Sequence, residues 1–381
     1  MMVDVKIKRD LKPRYWLEID LSAITENVSQ IKSVIKSDTR IIAVIKSNAY
    51  GHGLLEVASA LDENVDFFAV AEISEAVKLR EAEFQKPILF LSNPLFEEEI
   101  EAIFDYDIIP AVNSMKFLKL YQQYAHSQDR CLDIHLKIDT GMSRMGISWQ
   151  EIDSVVSFLS DSKNINLKAV FTHFAHTQDL EFTRMQMERF QKAISKLKNA
   201  GFKFFIHAAN SSAVLRYSTS WFDCIRPGLI IYGIYPEHEV KNRIKLKQAM
   251  SFKTRLVEVK EVKKGSFIGY NCTYKATSDM KIGIIPVGYN QGLMWVLSNK
   301  GFVLLRGRRI PILGRVSMDQ TILDLRDIAN PEIGEEVVIT GCQGEEEIRI
   351  EEIAEWAGTI PYEIACSFGK IGNRVYKEWV G

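Results

Sequence analysis

Most of the short signatures that mark an active site are missing from this chain. It holds no HExxH, no paired Cys/His pattern, no GxSxG and no P-loop, so metal, acyl-transfer and nucleotide chemistry lack their usual parts. Cysteine is scarce. Cys131, Cys224, Cys272, Cys342 and Cys366 are odd in number and irregularly spaced, which fits neither a disulfide framework nor a zinc site; they read as reduced core residues, and no metal is expected. Neither charge is in excess, with 48 basic and 49 acidic residues and a formal charge of −1, so no nucleic-acid partner is indicated and the substrate is expected to be small. No apolar run approaches the ~18 residues of a membrane span. The opening MMVDVKIKRDLKPRYW is charged throughout and has no apolar core like that of a signal peptide. The expectation is a cytoplasmic protein with no membrane partner.

What the chain does have is apolar mass. Its 381 residues are 46% apolar, more than one domain core usually holds, and two domains are expected, residues 1–240 and 241–381, with the first ~13 residues free to pack with the second. From Ile19 to Gly233 short apolar runs alternate with segments of helical period. The strands read as Ile41–Lys46, Phe67–Val70, Ile88–Leu91, Ile108–Ala111, Leu132–Ile138, Ala169–Thr172, Phe204–His207 and Cys224–Arg226. Between them, Ile24, Val28, Ile31 and Ile35 share one face of a helix over Ser22–Lys36, and another helix covers Phe182–Asn199. The alternation predicts an α/β fold with a closed (β/α)₈ TIM-type barrel. An open doubly wound sheet is the weaker alternative, because no GxGxxG turn follows the first strand. Beyond Pro236 the texture is mostly β, with strands at Thr254–Val262, Gly283–Val287, Phe302–Leu305, Ile310–Leu313, Gln320–Leu325 and Glu336–Thr340 and one helix at Ile350–Ala357.

Barrel chemistry gathers where strands end and the following loops begin. Those positions carry Lys46, the run Lys137-Ile138-Asp139-Thr140-Gly141-Met142-Ser143-Arg144, Thr172-His173, His207-Ala208-Ala209-Asn210-Ser211-Ser212 and Arg226-Pro227-Gly228. Each has an ordinary alternative: a lysine can cap a strand in solvent, a buried histidine can be a satisfied core residue, and Arg226 could pair with a carboxylate. Independent surface residues have no reason to converge on one mouth, however. Lys46, partly desolvated at a strand end, is the best nucleophile and suits reaction with an aldehyde. Pyridoxal 5'-phosphate is the common aldehyde cofactor. Its phosphate would find hydroxyls and backbone N–H groups at Asn210, Ser211, Ser212 and Gly228, with Tyr50 in reach. Arg226 facing the ring nitrogen could not accept its proton, which would keep the ring neutral and favour simple removal and return of an α-proton.

The motifs AVIKSNAYGHG, KIDTGMSRMG, THFAHTQD, HAANSSA, IRPGLIIYG, IGYNCTYKA and RIPILGRVSMDQTILDL closely resemble, in order and spacing, those of the bacterial alanine racemases, pyridoxal-phosphate enzymes with an N-terminal barrel and a C-terminal β domain. The resemblance runs over nearly the whole chain. It implies that Lys46 carries the cofactor and handles the proton of the D-isomer, while Tyr270 is the opposing base for the L-isomer; racemisation needs one base on each face of the α-carbon. It implies cofactor contacts from Tyr50, His173, Asn210, Ser211, Arg226, Gly228 and Leu229, substrate contacts from Arg144, Met318 and Tyr289, and a Lys137 that is carbamylated to an anion positioning Arg144. It further implies a homodimer with shared active sites and a role in supplying D-alanine for peptidoglycan.

The chain departs from the family pattern in three places. Lys370 stands where members commonly have a phosphate-binding tyrosine, so it is expected to be an altered phosphate anchor. Ser317 replaces a common cysteine, and Gly288-Tyr289-Asn290-Gln291-Gly292 replaces Gly-Tyr-Ala-Asp-Gly. These changes keep a serine or broad-specificity racemase open as the alternative. A barrel-type decarboxylase lacks its Glu-Pro-Gly-Arg and His-x-Gly-Ser segments here. A non-catalytic pyridoxal-binding barrel would not need the second domain.

Overall fold

The computed structural model describes residues 12–377; the expectation for residues 1–13 falls mainly outside that range. The chain divides into two compact units, one of Asp20–Ala249 and one combining the described residues up to Ile19 with Met250–Lys377.

The first unit is a closed barrel of eight parallel strands: Arg40–Val44, Phe67–Val70, Ile88–Phe90, Ile108–Val112, Leu132–Asp139, Ile165–Phe171, Phe205–Asn210 and Cys224–Arg226. Each pairs in parallel with its neighbour, and Cys224 opposite Arg40 closes the ring. Continuous runs such as Ile41-Ile42-Ala43-Val44 are buried because such strands are covered on both faces. Full burial of each Ile or Leu side chain contributes about 1.5–3 kcal/mol. The helix Leu21–Val34 starts on Asp20, whose carboxylate accepts the Ala23 N–H, and buries Ala23, Ile24, Val28 and Ile31. Its buried Asn27 is satisfied by the Ile231 and Lys247 carbonyls and the Lys247 N–H.

Several boundaries differ from the sequence reading. The first barrel strand stops at Val44, and Lys46 opens the turn that follows. The seventh runs on to Asn210, where Arg226 faces it across a register shift. Such a bulge re-aims side chains at a barrel rim.

The second unit is built on an antiparallel sheet. Its strands lie in the order Glu258–Val262, Met280–Ile285, Thr321–Asp324, Arg308–Leu313, Phe302–Leu305, Glu336–Gln343, Met250–Arg255, Tyr15–Asp20 and Arg374–Lys377. The single strand expected over Thr254–Val262 breaks at Leu256-Val257, whose N–H groups bond to the Glu335 carbonyl, just before the strand Glu336–Gln343, and to the Ile284 carbonyl on the strand Met280–Ile285. A second helix, Pro361–Phe368, follows Ile350–Ala357 after the left-handed Gly358; with Pro361 in its first turn it is a normal helix start. The reading of the cysteines as core residues is also corrected: Cys131, Cys272 and Cys342 are exposed, and only Cys224 is buried.

Candidate active site

After Ile45 the barrel chain turns left-handed. Ser47, Asn48 and Ala49 all lie near φ +55 and ψ +50, and Tyr50 has φ 52. L residues rarely adopt this conformation, because Cβ crowds the following carbonyl. Lys46 stands at the start of this turn, half-buried, and Tyr50 at its end, buried against Tyr232 with ring centroids 5.1 Å apart. The Tyr50 hydroxyl points at Gly228, where an added Cβ would lie 2.8 Å from Oη, so a larger residue there would displace the hydroxyl. Gly228 donates its N–H to Ser211 Oγ at 2.9 Å, and Leu229 follows, buried, at the start of the 3₁₀ turn Leu229–Tyr232. Asn210 spends its Oδ1 on the Ala213 N–H as the cap of the helix Ser211–Arg216, and Ser212 donates to Glu237 at 2.7 Å. Of the expected phosphate ligands, Tyr50, Ser211 and Gly228 converge, with the Gly228 N–H resting on Ser211 Oγ, whereas Asn210 Oδ1 caps the helix and Ser212 is bonded to Glu237.

Arg226 is 4% exposed and pairs with no carboxylate among the described residues. Its Nη1 donates to His207 Nδ1 at 2.8 Å, and its Nη2 donates to the Thr172 carbonyl at 2.7 Å and the Ala208 carbonyl at 3.1 Å, with His173 Nδ1 at 3.4 Å. Because arginine has no acceptor, His207 must carry its proton on Nε2. That N–H then points at His135 Nδ1, 3.2 Å away, which places the His135 proton on Nε2, an atom with no hydrogen-bond partner. Burial pushes His135 down to about 3, with Arg226 and Arg40 adding to the effect. His173 and His207 are also driven well below their ordinary value by burial and by Arg226. Burial lowers Arg226 itself to about 10, which leaves it cationic at neutral pH.

The fifth strand carries Lys137, buried and lowered to about 8 by desolvation, then by Arg144 and Arg226. Two residues on, one Asp139 carboxylate oxygen accepts the N–H groups of Gly141, Met142 and Ser143 at 2.9, 3.0 and 3.2 Å, and this turn carries Arg144. Thr140 and Thr172 share a 2.8 Å hydrogen bond, and Gln186 reaches Thr140 from the helix Leu180–Asn199. Arg226, Lys137, Arg144 and Lys46 all raise the positive potential at His173.

His207 stands in the motif HAANSSA without an assigned role, and His135 is the site residue that no motif covers. The signal of His135 lay in the strand Leu132–Asp139, where Asp133, His135, Lys137 and Asp139 alternate with Leu132, Ile134, Leu136 and Ile138, a period of two that puts the polar set on one face. A prediction follows from their neutrality. Between pH 6.5 and about 3 the unfolded chain holds a proton on His135 that the folded chain does not. This contribution to stability is fully present above pH 6.5 and is lost as pH falls, by up to about 1.4 kcal/mol per pH unit. Urea midpoints at pH 7 and pH 5 should therefore differ less in His135→Phe than in the parent. The same variant should lose about 1–3 kcal/mol at pH 7, because the His207 N–H is left without an acceptor. An unchanged pH dependence would mean that His135 is not held neutral.

On the second unit, Tyr270, Met318 and Tyr289 are 69%, 55% and 45% exposed. Tyr270 rides a strained turn with Gly269 at φ 76, Asn271 at φ 59 and Cys272 at φ 51. Tyr289 and Met318 are brought together: the Tyr289 N–H bonds to Ser317 O at 3.1 Å and the Asn290 N–H to Met318 O at 3.0 Å. A Cβ on Gly288 would fall 2.0 Å from Ser317 O. The two residues that depart from the family pattern add to this, since Asn290 Nδ2 and Gln291 Nε2 both donate to Asp319 Oδ1, at 3.1 and 2.9 Å. Lys370 is exposed just past the helix Pro361–Phe368.

Among the described residues, no group of three or more His, Cys, Asp or Glu is placed to hold a metal, and no helix is long and apolar enough to cross a membrane. Residues 19–236 match the family model for the alanine racemase N-terminal domain, and residues 249–376 match that for the C-terminal domain. The alanine racemase of Thermodesulfovibrio yellowstonii is 39% identical over 363 residues, 94% of this chain and 96% of its own length; that of Halothermothrix orenii is 38% identical over 98% and 99%. Among solved structures, a Bacillus anthracis alanine racemase with bound L-Ala-P superposes with a TM-score of 0.89 at 34% identity, covering 97% of this chain and 96% of that one. A Bartonella henselae alanine racemase with covalently bound pyridoxal phosphate does so at 0.86 and 27%, covering 96% and 100%. Two family models and relatives matched from end to end leave no other assignment: this chain belongs to the alanine racemase family.

Proposed function

We propose that this protein interconverts L- and D-alanine with pyridoxal 5'-phosphate as cofactor, using Lys46 and Tyr270 as the two bases. The observation that carries the reading is Arg226 at the barrel mouth, buried, paired with no carboxylate among the described residues and donating to His207, Thr172 and Ala208, with Arg144 adding to the positive potential at His173. An anionic cofactor and a carboxylate substrate answer that charge. The residues present fit the cofactor: Tyr50 Oη and Ser211 Oγ meet at Gly228 in a cradle that a Cβ would fill, with buried Leu229 next in the chain. Asn210 holds the helix that carries Ser211. Arg226, with no carboxylate, suits the ring nitrogen as a donor only. When bound, pyridoxal phosphate supplies an electron-withdrawing ring that acidifies the α-C–H of the amino acid.

The protein's own groups then do the rest. Arg144 and the Met318 N–H hold the substrate carboxylate, and Tyr289 lines the same pocket. Tyr270 Oη removes or returns the α-proton on the L face, and Lys46 Nζ does so on the D face. Neutral His173 is the hydrogen-bond partner of the phenol. Lys370 is the cation that meets the phosphate in place of a tyrosine. Tyr270, Met318 and Tyr289, exposed on their own unit, are supplied by a second copy, so the active form is a homodimer with shared sites. It works in the cytoplasm and supplies D-alanine for peptidoglycan.

The test is α-proton exchange with deuterated solvent, using L- and D-alanine and L- and D-serine. Exchange with both alanine isomers, and much slower exchange with serine, is expected; no exchange with either alanine isomer overturns the reading.

Lys137 carries a second expected result. With its ammonium lowered to about 8, a fraction of the amine is neutral near physiological pH and can add carbon dioxide: an N–C bond forms, the amine loses a proton, and a cation becomes an anion beside Arg144. Protein kept in ¹³C-bicarbonate should show one carbamate signal that Lys137→Ala removes. An unmodified Lys137 with full activity rules the carbamate out.

A further inference from the structure

We propose that Glu75 is the positioning residue of Lys46: its buried carboxylate clamps the left-handed turn that sets the direction of Lys46 and Tyr50. The inference rests on the reading of Lys46 as the cofactor lysine. Glu75 is 8% exposed on the helix Ile73–Glu81, and no lysine or arginine pairs with it among the described residues. Its Oε1 instead accepts the Asn48 N–H at 2.8 Å, and its Oε2 faces the Ala71 N–H at 3.4 Å. A buried carboxylate needs strong donors, and the short one found here is the amide in the middle of the strained turn.

The other ties of the turn are local. Ser47 and Asn48 are exposed, so packing acts only on the buried Ala49 and Tyr50, and none of Ser47, Asn48 and Ala49 is glycine. Ser47 and Ala49 carry the steric penalty that makes this conformation rare for L residues, which asparagine tolerates better. Asn48 Oδ1 accepts the Leu54 N–H at 2.8 Å, and His52 Nδ1 lies 3.0 Å from Ala49 O and 3.1 Å from Tyr50 O. Ala49 N–H bonds to Ile45 O at 2.8 Å, and the N–H groups of Gly51, His52 and Gly53 bond to Ser47 O, Ala49 O and Asn48 O, each at 3.0 Å.

The handedness of this one turn decides where both flanking side chains leave the backbone. A right-handed path over Ser47–Ala49 would send Lys46 and the Tyr50 hydroxyl, which now points at Gly228, in different directions. Strain of this kind persists only where the surroundings over-determine it. Glu75 ties the middle of this turn to the helix Ile73–Glu81 through a charged acceptor.

The test compares the parent holoenzyme with Glu75→Ala, Glu75→Gln, Ser47→Gly and the double variant Glu75→Ala/Ser47→Gly. The readouts are the rate of pyridoxal phosphate release by absorbance, kcat and KM for alanine, and the thermal midpoint. Glu75→Ala should release cofactor at least tenfold faster and lose kcat more than it raises KM. Glu75→Gln, which keeps one acceptor, should fall between. Ser47→Gly alone should resemble the parent, and in the double variant it should recover a threefold or larger part of the loss, because glycine takes a positive φ without penalty. A general loss of packing would not be repaired by that glycine. Cofactor release at the parent rate in Glu75→Ala and Glu75→Gln, or a defect that Ser47→Gly leaves untouched, overturns the proposal.

Amide hydrogen exchange over residues 46–51 in the cofactor-free chain reads the clamp by itself: protection in the parent that Glu75→Ala removes supports it, and equal exchange overturns it. Absence of a Lys46-dependent absorbance band in the parent would instead defeat the cofactor reading.

Discussion

Replacing Lys46 with alanine is expected to abolish the cofactor's absorbance band and to lower kcat/KM in both directions by at least about 10³-fold, since covalent attachment and one proton-transfer group are lost together. The loss should not be shared out among the neighbours. Lys137 is the other lysine of the mouth, but it is buried with its Nζ 5.8 Å from the Phe171 ring centroid, on a different strand from the one that precedes Lys46. Added amines of small size are expected to restore a measurable fraction of turnover, because the space and the hydrogen-bonding cradle remain. A Lys46→Ala protein that kept the band would remove Lys46 from the mechanism.

Tyr270→Phe makes a sharper statement, because its effect is expected to be lopsided. Racemisation should fall by about 10²–10⁴-fold, while D-alanine continues to exchange its α-proton with deuterated solvent through Lys46. L-alanine should lose exchange. Measured separately for each isomer by NMR, equal losses would contradict the assignment of one base to each face. Folding stability should hardly change, within about 0.5 kcal/mol, because Tyr270 is exposed on its own unit and the ring is kept. The two variants thus form a pair: one removes the covalent attachment of the cofactor, and the other leaves it attached with half of the proton traffic stopped.

Much of the barrel was legible because its strands are buried on both faces and so read as short apolar runs between helical periods. Lys46, Lys137, Arg144, His173 and Arg226 stood out as polar residues where such runs end. What escaped the reading has definite physical causes. The left-handed turn after Lys46 is held by Glu75, a residue 27 positions away from Asn48, and no local pattern announces it. His135 lies inside a strand, where a histidine looks like ordinary core. The helix Pro361–Phe368 is short, and Gly358 and Pro361 around it read as loop. The strand Tyr15–Asp20 has no partner nearby in sequence, since Tyr15 pairs with Thr254. Asn210 and Ser212 looked like phosphate ligands from their position after a strand, but Asn210 Oδ1 caps the following helix and Ser212 is bonded to Glu237.

That N-terminal strand has a consequence for how the protein is made. Tyr15–Asp20 lies between Met250–Arg255 and Arg374–Lys377 in the second unit's sheet, so this strand, the earliest among the described residues, waits for the last third of the chain before it can pair. At typical synthesis rates of ~5–20 residues per second, the wait is roughly ten to fifty seconds. During it the barrel segment can close without losing any strand of its own. The reverse does not hold: a fragment beginning at Met250 would carry two open edges where that strand belongs, which is a template for association with other chains. Severing the protein between the two units should therefore yield a well-behaved barrel fragment and an aggregating C-terminal one, unless residues 12–20 are supplied alongside as a peptide.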